Sequence, residues 1–315
     1  MPSFNRQTTG AEIVAEYGAN AKGKTILVTG PSSGGLVAEL LTTLTAASPA
    51  YLILAGRNEA KILPVIAAIN KANPSIQTTF LPLDLLDNES MRKTAAQINE
   101  TVDVIDVLIN NAGVIAKKQF ALSKDGIEAL FAAKYLGHFL LTNLVAGKIF
   151  KAGGVVVNVS SMAYLLADAE MGDVNFDEGK DYHGWIAYAR SKTANILFTY
   201  ALAEKYGGEL KALVIDPGSN QLLTNSDVDE AFLQKGFKIH VDRTKGVEVP
   251  ETVLVTMEQG IATLMIAALD PTLEQKAPAF LKECNIIEPL PYAKDQDVAL
   301  KLWALSEKLV DEQFT

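Results

Sequence analysis

The chain is 315 residues long, enough for one large α/β domain or two small ones, and either can bury a full core. With 49% hydrophobic and 21% charged residues it has an ordinary globular composition, which excludes disorder, collagen-like repeats and coiled coil. The net charge of -9, from 28 basic and 37 acidic residues, argues against nucleic acid or an anionic membrane as the main partner, and one cysteine, Cys284, excludes a disulfide framework.

The first 23 residues are polar and mixed in charge, without the apolar stretch of a signal peptide. This leader is expected to pack on or near the domain that follows, and a cytoplasmic location is the corresponding expectation. From residue 24 short β-rich runs alternate with longer helical ones. The strand candidates are 24–29, 51–55, 78–83, 104–109, 155–159 and 210–215, each rich in Val, Ile and Leu with little polar alternation, as in strands covered on both faces. Helical candidates lie at 35–47, 59–73, 90–99, 126–150 and 185–206. The alternation predicts an α/β fold: a single domain over 24–315 with a doubly wound parallel sheet and flanking helices.

Two segments break the rhythm. Residues 162–184 are polar and acidic, and 219–250 carry little periodicity. Both leave the edge of the sheet where ligand crevices form, so both are candidate substrate loops. The apolar run at 261–269 is far below the roughly 18 residues that span a bilayer, and no membrane span is expected. Residues 295–310 read as an amphipathic helix with Val298, Leu302, Leu305 and Leu309 on the docking face. His138, His183 and His240 lack ligand spacing, so no metal site is expected, and His138 reads as a packed, hydrogen-bonded residue.

Chemistry gathers at the ends of the strand candidates. Gly30, Ser32, Ser33, Gly34, Gly35 and Leu36 close the first strand and open a helix, where glycines let backbone N–H groups approach a pyrophosphate. After the second strand, Gly56 leaves room and Arg57 offers a bidentate phosphate donor where a carboxylate would select a free ribose hydroxyl. That favours NADP(H) over NAD(H). Tyr188 and Lys192 stand at i and i+4 of a helix, and an adjacent ammonium stabilises a phenolate and lowers the tyrosine pKa. Taken alone, such a pair is most often a surface feature.

Its company changes that reading. The glycine turn, Asp84, Asn110-Asn111-Ala112-Gly113, Asn158-Val159-Ser160-Ser161, Tyr188-x-x-x-Lys192 and Asp216-Pro217-Gly218 follow in order. Their order and spacing, over about residues 24–218, resemble the short-chain dehydrogenase/reductase family. The run from Leu136 to Thr142 and the long gap between Ser161 and Tyr188 resemble the retinol-dehydrogenase-like branch and its fungal relatives. The resemblance implies a Rossmann-type fold and a set of roles. Ser161 would hydrogen-bond a substrate carbonyl, Tyr188 would exchange the proton, and Lys192 would depress the tyrosine pKa and bind the nicotinamide ribose. Ser160 would face the other way. Asp84, with Leu85 beside it, would contact the adenine; Asn111, Ala112 and Gly113 would lie near the cofactor. Pro217 and Gly218 would line the nicotinamide, with Thr224 a weaker candidate.

Two departures from the family pattern stand out. Leu36 or Val37 occupies the place of the third glycine, with Glu39 one residue late. Lys134 stands where the family has an asparagine that holds a water linking the active-site lysine to solvent. It would either take that water's site as a proton donor, repel Lys192, or lie solvated after a register shift. Trp185 and Tyr182 would roof the substrate or simply pack. The main functional reading is an NADP(H)-dependent oxidoreductase acting on a small-molecule carbonyl or alcohol, apolar if Leu165, Leu166, Leu222 and Leu223 line the loops. The alternative is a redox-silent dinucleotide-binding member, motivated by Lys134 and the irregular turn. The helices at 126–150 and 185–206 resemble those that pair in family dimers, which leaves a homo-oligomer or internal packing open.

Overall fold

A computed structural model describes residues 4–113, 117–168, 172–218, 229–244 and 254–314. Eight strands form one sheet: β1 (Thr25–Thr29), β2 (Tyr51–Gly56), β3 (Gln77–Pro82), β4 (Val107–Asn110), β5 (Val155–Val159), β6 (Lys211–Asp216), β7 (Ala279–Lys282) and β8 (Asn285–Ile287). Their order is β3-β2-β1-β4-β5-β6-β7-β8. All pairs are parallel except β7 with β8. The six expected strands are present. The last two were not anticipated because they are only four and three residues long, and β8 is a half-exposed edge.

The chain steps outward from β1 to β3, then returns to place β4 on the other side of β1. A crevice opens there, outside the C-terminal ends of β1 and β4. The fourth strand starts later than expected because Asp106 turns its carboxylate to the Lys24 ammonium and the Thr25 N–H, both at 2.8 Å.

Helices cover both faces. On one lie α1 (Gly10–Tyr17), α2 (Leu36–Leu44), α3 (Glu59–Ala72) and α9 (Met257–Leu269), packed through Ile13, Leu40, Ile62 and Ile261. On the other lie α4 (Asn88–Thr101), α6 (Gly137–Ala152), α7 (Gly184–Lys205) and α10 (Gln296–Val310), packed through Met91, Phe139, Leu197 and Trp303. The leader contributes α1, started by a capping box at Thr9, and seats Gly10 on α9, where a Cβ would fall 2.4 Å from Ile261 Cδ1. Within 219–250 the expected irregular loop is corrected over its described part: α8 (Glu230–Thr244) is helical.

The short helix α5 (Ala129–Phe131) runs through a π-helical turn, Ala132–Leu136, into α6. By length and composition Ala129–Ala152 is apolar enough to cross a membrane, but 83% of its most apolar window is buried inside the protein. That apolarity serves the core, as does that of α7, whose buried residues include Ile196, Leu197 and Phe198.

The docking face of α10 is rotated from the expected one. Ala299, Leu302, Trp303, Ser306 and Val310 are buried. Val298, Leu305 and Leu309 are only half-buried. Small residues at 299 and 306 let the helix approach closely, and Tyr135 donates at 2.6 Å to Ser306, which in turn donates to the Leu302 carbonyl. Tyr135→Phe removes that buried hydrogen bond and is expected to lower stability by about 1 kcal/mol, read from denaturant unfolding.

Candidate active site

Most of the expected site residues follow the C-terminal ends of strands, while Tyr188 and Lys192 come from α7 and Lys134 from the π-turn. Gly30 follows β1 with φ +72°, and a Cβ on it would meet Ala112 Cα at 2.8 Å. Only glycine permits both that backbone and that approach to the loop after β4. Gly34, at φ +77°, faces open space, and Gly35 is the N-cap of α2. A glycine cap has no side chain to accept from the first-turn N–H groups; that of Ala38 turns to the Gly35 carbonyl at 3.1 Å, those of Leu36 and Val37 remain available to an anion, and the turn fits a pyrophosphate. Leu36, in the third-glycine position, is buried in the core beneath α2 and leaves that turn open.

Arg57 is exposed at the end of β2, beside Gly56, whose own Cβ would lie 3.9 Å from Gly30 Cα. Among the described residues Arg57 has no acid partner. Asp84 follows β3, where its carboxylate accepts from the Leu86 N–H at 3.1 Å. Leu85 is not brought to the crevice: it is buried against Gly137. Asn111 and Ala112 each donate a backbone N–H to Thr29 Oγ1 at 3.0 Å, which ties the loop after β4 to β1. Gly218 has φ +77° and donates to Asp216 at 3.3 Å; Pro217 and Gly218 are half-buried at the end of β6. Thr224, Leu222 and Leu223 lie outside the described residues.

Ser161 lies two residues past the end of β5 as the N-cap of a 3₁₀ turn, Met162–Leu166, where its hydroxyl accepts from the Ala163 N–H at 3.2 Å and faces the Tyr188 phenol. Ser160 points the other way, donating at 2.8 Å to the Lys192 carbonyl, so it pins α7 to β5. One turn after Tyr188, Lys192 Nζ donates at 2.8 Å to the Val159 carbonyl and stands 5.6 Å from the Tyr188 ring centre. A second layer fixes these elements: Asn110 donates at 2.9 Å to Asn158 and to Thr142, and Asn158 donates at 3.0 Å to Thr199. Asn110 and Asn158 were visible in the sequence only as members of motifs, as was Thr142 at the end of the Leu136–Thr142 run; Thr199 carried no signal.

The electrostatics differ from the expectation in one respect. Lys192 does not depress the Tyr188 pKa here, because its ammonium is turned to the Val159 carbonyl. Burial, with the Asp216 carboxylate acting the same way, pushes Tyr188 up to about 12 against the opposing influence of the Ser161 hydroxyl. Burial also lowers Lys192 to about 8, although Asp216 favours its charged form. Asp216 is itself pushed up by burial, despite Lys282, the Gly218 and Met162 N–H groups and Lys192. The phenol is therefore the resting form at neutral pH.

Lys134 is not solvated. It sits in the π-turn, 5% exposed, with Nζ 4.9 Å from the Tyr188 ring centre, and a Cβ on Gly113 would lie 2.6 Å from it. Burial, and then the Lys192 charge, hold its pKa well below the ordinary lysine value. The lowered basicity of Lys134 lessens its repulsion of Lys192, so the two lysines coexist over one ring.

Trp185 walls the site next to Tyr188, edge-on at 6.1 Å, and stacks on Phe232 of α8 at 5.2 Å. Its indole donates at 2.6 Å to the Phe232 carbonyl. Gly236 lets α8 lie against Trp185, since a Cβ there would be 2.9 Å from the indole. Phe232 was missed because its segment lacks apolar periodicity. Tyr182 packs away from the site, on Phe120 and Phe176. Among the described residues no cluster of His, Cys, Asp or Glu could hold a metal.

A family model described as short chain dehydrogenase matches residues 24–231. Short-chain dehydrogenase TIC 32 B, chloroplastic, of Brassica napus is 32% identical over 305 residues, covering 94% of this chain and 91% of its own length. Retinol dehydrogenase 13 of Homo sapiens is 31% identical over 301 residues, covering 93% and 86%. A solved structure of an uncharacterized protein from Mycobacterium Paratuberculosis is similar with a TM-score of 0.70 at 28% identity, covering 95% of this chain and 98% of that one. The glycine turn, the Ser161, Tyr188 and Lys192 group and a match of this extent place the chain in the short-chain dehydrogenase family, with the retinol dehydrogenases among its relatives.

Proposed function

We propose that the protein is an NADP(H)-dependent oxidoreductase that interconverts a carbonyl and an alcohol on a small-to-medium apolar substrate. The observation that carries this reading is the meeting of Ser161, Tyr188 and Lys192 at the switch-point crevice. When bound, the nicotinamide cofactor supplies or accepts the hydride. Gly30, Gly34, Gly35 and the first turn of α2 would hold its pyrophosphate, and Arg57 a ribose phosphate. Lys192 would leave the Val159 carbonyl to reach a ribose hydroxyl. Asp84, Asn111, Ala112, Gly113, Pro217 and Gly218 would flank it.

The protein's own part is proton handling. The Ser161 hydroxyl donates to the substrate oxygen and holds it at the Tyr188 phenol, which gives up its proton as negative charge develops there. Lys192, charged below about pH 8, offsets the phenolate left behind. Lys134 holds its amine over the same ring. Trp185, Phe232 and Leu166 form the apolar wall that favours a substrate without charge. Leu165 packs elsewhere, with Tyr164 and Phe280. The redox-silent alternative gains no support from Lys134, whose amine leaves Ser161 facing Tyr188 and the Lys192 anchor intact.

The test is consumption of NADPH and of NADH by the purified protein with a panel of ketones, aldehydes and quinones, Tyr188→Phe serving as control. Tyrosine-dependent oxidation with NADPH preferred supports the reading; no turnover of any panel member, or turnover indifferent to Tyr188, overturns it. A pH dependence follows from the same groups. Tyr188, near 12, stays protonated across the neutral range, so the ionisation that matters is that of Lys192. Turnover in the reducing direction is expected to be flat below about pH 8 and to fall as Lys192 loses its proton above it, read from kcat against pH at saturating cofactor.

A further inference from the structure

We propose that His138 is a positioning residue: its Nδ1–H, given its tautomer by the bond of Nε2 to Thr29 at the end of β1, donates to the Lys134 carbonyl in the π-turn and so holds the Lys134 amine against the Tyr188 ring. Both ring nitrogens are engaged. Nδ1 lies 3.1 Å from the Lys134 carbonyl oxygen and Nε2 lies 2.9 Å from Thr29 Oγ1. A carbonyl only accepts, so Nδ1 carries the proton and donates to it. In the neutral ring Nε2 is then bare and accepts from the Thr29 hydroxyl. The Thr29 oxygen in turn accepts the Asn111 and Ala112 N–H groups, both at 3.0 Å. Every donor in this chain has an acceptor, in one direction, from the loop after β4 through β1 to the backbone of Lys134.

The neutral state that this pattern needs is the one the surroundings enforce. His138 is 2% exposed, and burial lowers its pKa to about 4, with the Lys192 and Lys134 charges acting the same way against the Lys134 carbonyl bond. The π-turn gives the link something to hold. A π-turn widens the helix by one residue and leaves carbonyls without their usual α-helical donor, so it persists where other groups satisfy them. Here the Gly137 N–H goes to the Ala132 carbonyl, and the His138 side chain meets that of Lys134. Lys134 itself has no carboxylate partner among the described residues; the groups that face it are Lys192, the Tyr188 ring, Gly113 and the His138 backbone link. Its placement therefore rests on packing and on the bond at its own carbonyl.

The two bonds are separable by substitution, because asparagine reaches the place of Nδ1 and glutamine that of Nε2. Asparagine can make the first bond in this helix: Asn143 already donates at 2.8 Å to the Phe139 carbonyl four residues back. The proposal rests on the oxidoreductase reading only for its kinetic arm. In the other arm, the Lys134 amine is titrated by NMR of side-chain-labelled lysine, assigned with Lys134→Met. His138→Asn is expected to leave the Lys134 titration and kcat as in the wild type. His138→Gln is expected to raise the Lys134 pKa by about one unit as the amine loosens toward solvent, and to lower kcat about tenfold or more with the NADPH KM unchanged. In a Lys134→Met background the Asn and Gln variants should no longer differ in kcat. The proposal is overturned if both variants perturb Lys134 alike, if neither does, or if their kcat difference survives without Lys134. Failure of the wild type to reduce any carbonyl, with the Lys134 titration still separating the variants, would remove the oxidoreductase reading and leave the positioning role standing.

Discussion

Tyr188→Phe is expected to lower kcat for carbonyl reduction by about 10²–10⁴-fold while leaving the fold and cofactor affinity close to wild type. The substitution removes one hydroxyl. The ring that packs edge-on to Trp185 and lies under the two lysine amines is retained. What disappears is the phenol that faces Ser161, and with it the proton donor at the place where a substrate oxygen would be held. The high tyrosine pKa sharpens the expectation. A phenol near 12 is a weak acid at rest, so its proton leaves only when an alkoxide of higher basicity develops beside it and Lys192 is charged. Ser161 alone can polarise the carbonyl but has no second proton source behind it. The measurement is kcat under saturating NADPH, with cofactor affinity from fluorescence quenching and stability from thermal unfolding. A loss of less than about tenfold would mean that another group supplies the proton. Lys134→Met in the same background would then show whether the amine over the ring is that group.

How much of this was legible in the sequence depends on the kind of interaction involved. The six central strands were readable because burial on both faces writes an unbroken apolar run, as in β2, where all six residues are buried. The site residues were readable because each belongs to a motif local in sequence, at a strand end or, for Tyr188 and Lys192, one turn apart on a helix. What escaped detection is non-local. The pairing of His138 with Thr29 spans 109 residues and leaves no periodicity. The rotated face of α10 follows from small residues at 299 and 306 that favour close approach, a packing preference that a count of leucines does not register. Phe232 belongs to a helix with a weakly segregated sequence, and only its stacking on Trp185 shows what it is for. The charge states were also beyond reach. Lys192 was expected to acidify Tyr188, yet the Val159 carbonyl takes its ammonium and the buried Asp216 works in the opposite direction. A sequence records which ionisable groups are near a site, whereas their effect depends on where each one points.

Arg57→Asp is expected to reverse the cofactor preference from NADPH to NADH. Arg57 stands exposed at the end of β2, next to Gly56, and Gly56 lies against Gly30 at the start of the glycine turn. A ribose phosphate carried on that side would meet a guanidinium that no carboxylate among the described residues already engages. Charge-assisted bidentate bonds are among the stronger polar contacts, and losing them with Arg57→Ala is expected to raise the NADPH KM by about 10–100-fold with little change for NADH. Aspartate goes further, since it repels the phosphate and offers an acceptor to a free ribose hydroxyl, the contact that selects the other cofactor. The readout is the ratio of kcat/KM for the two cofactors in the wild type and both variants. Because the arginine is exposed, the NADPH preference of the wild type should also weaken as salt is raised, while that of Arg57→Ala should not. An equal loss for both cofactors in Arg57→Asp would mean that the guanidinium supports the turn rather than the phosphate, and selection would then have to come from another residue near the adenine, with Asp84 the first to substitute.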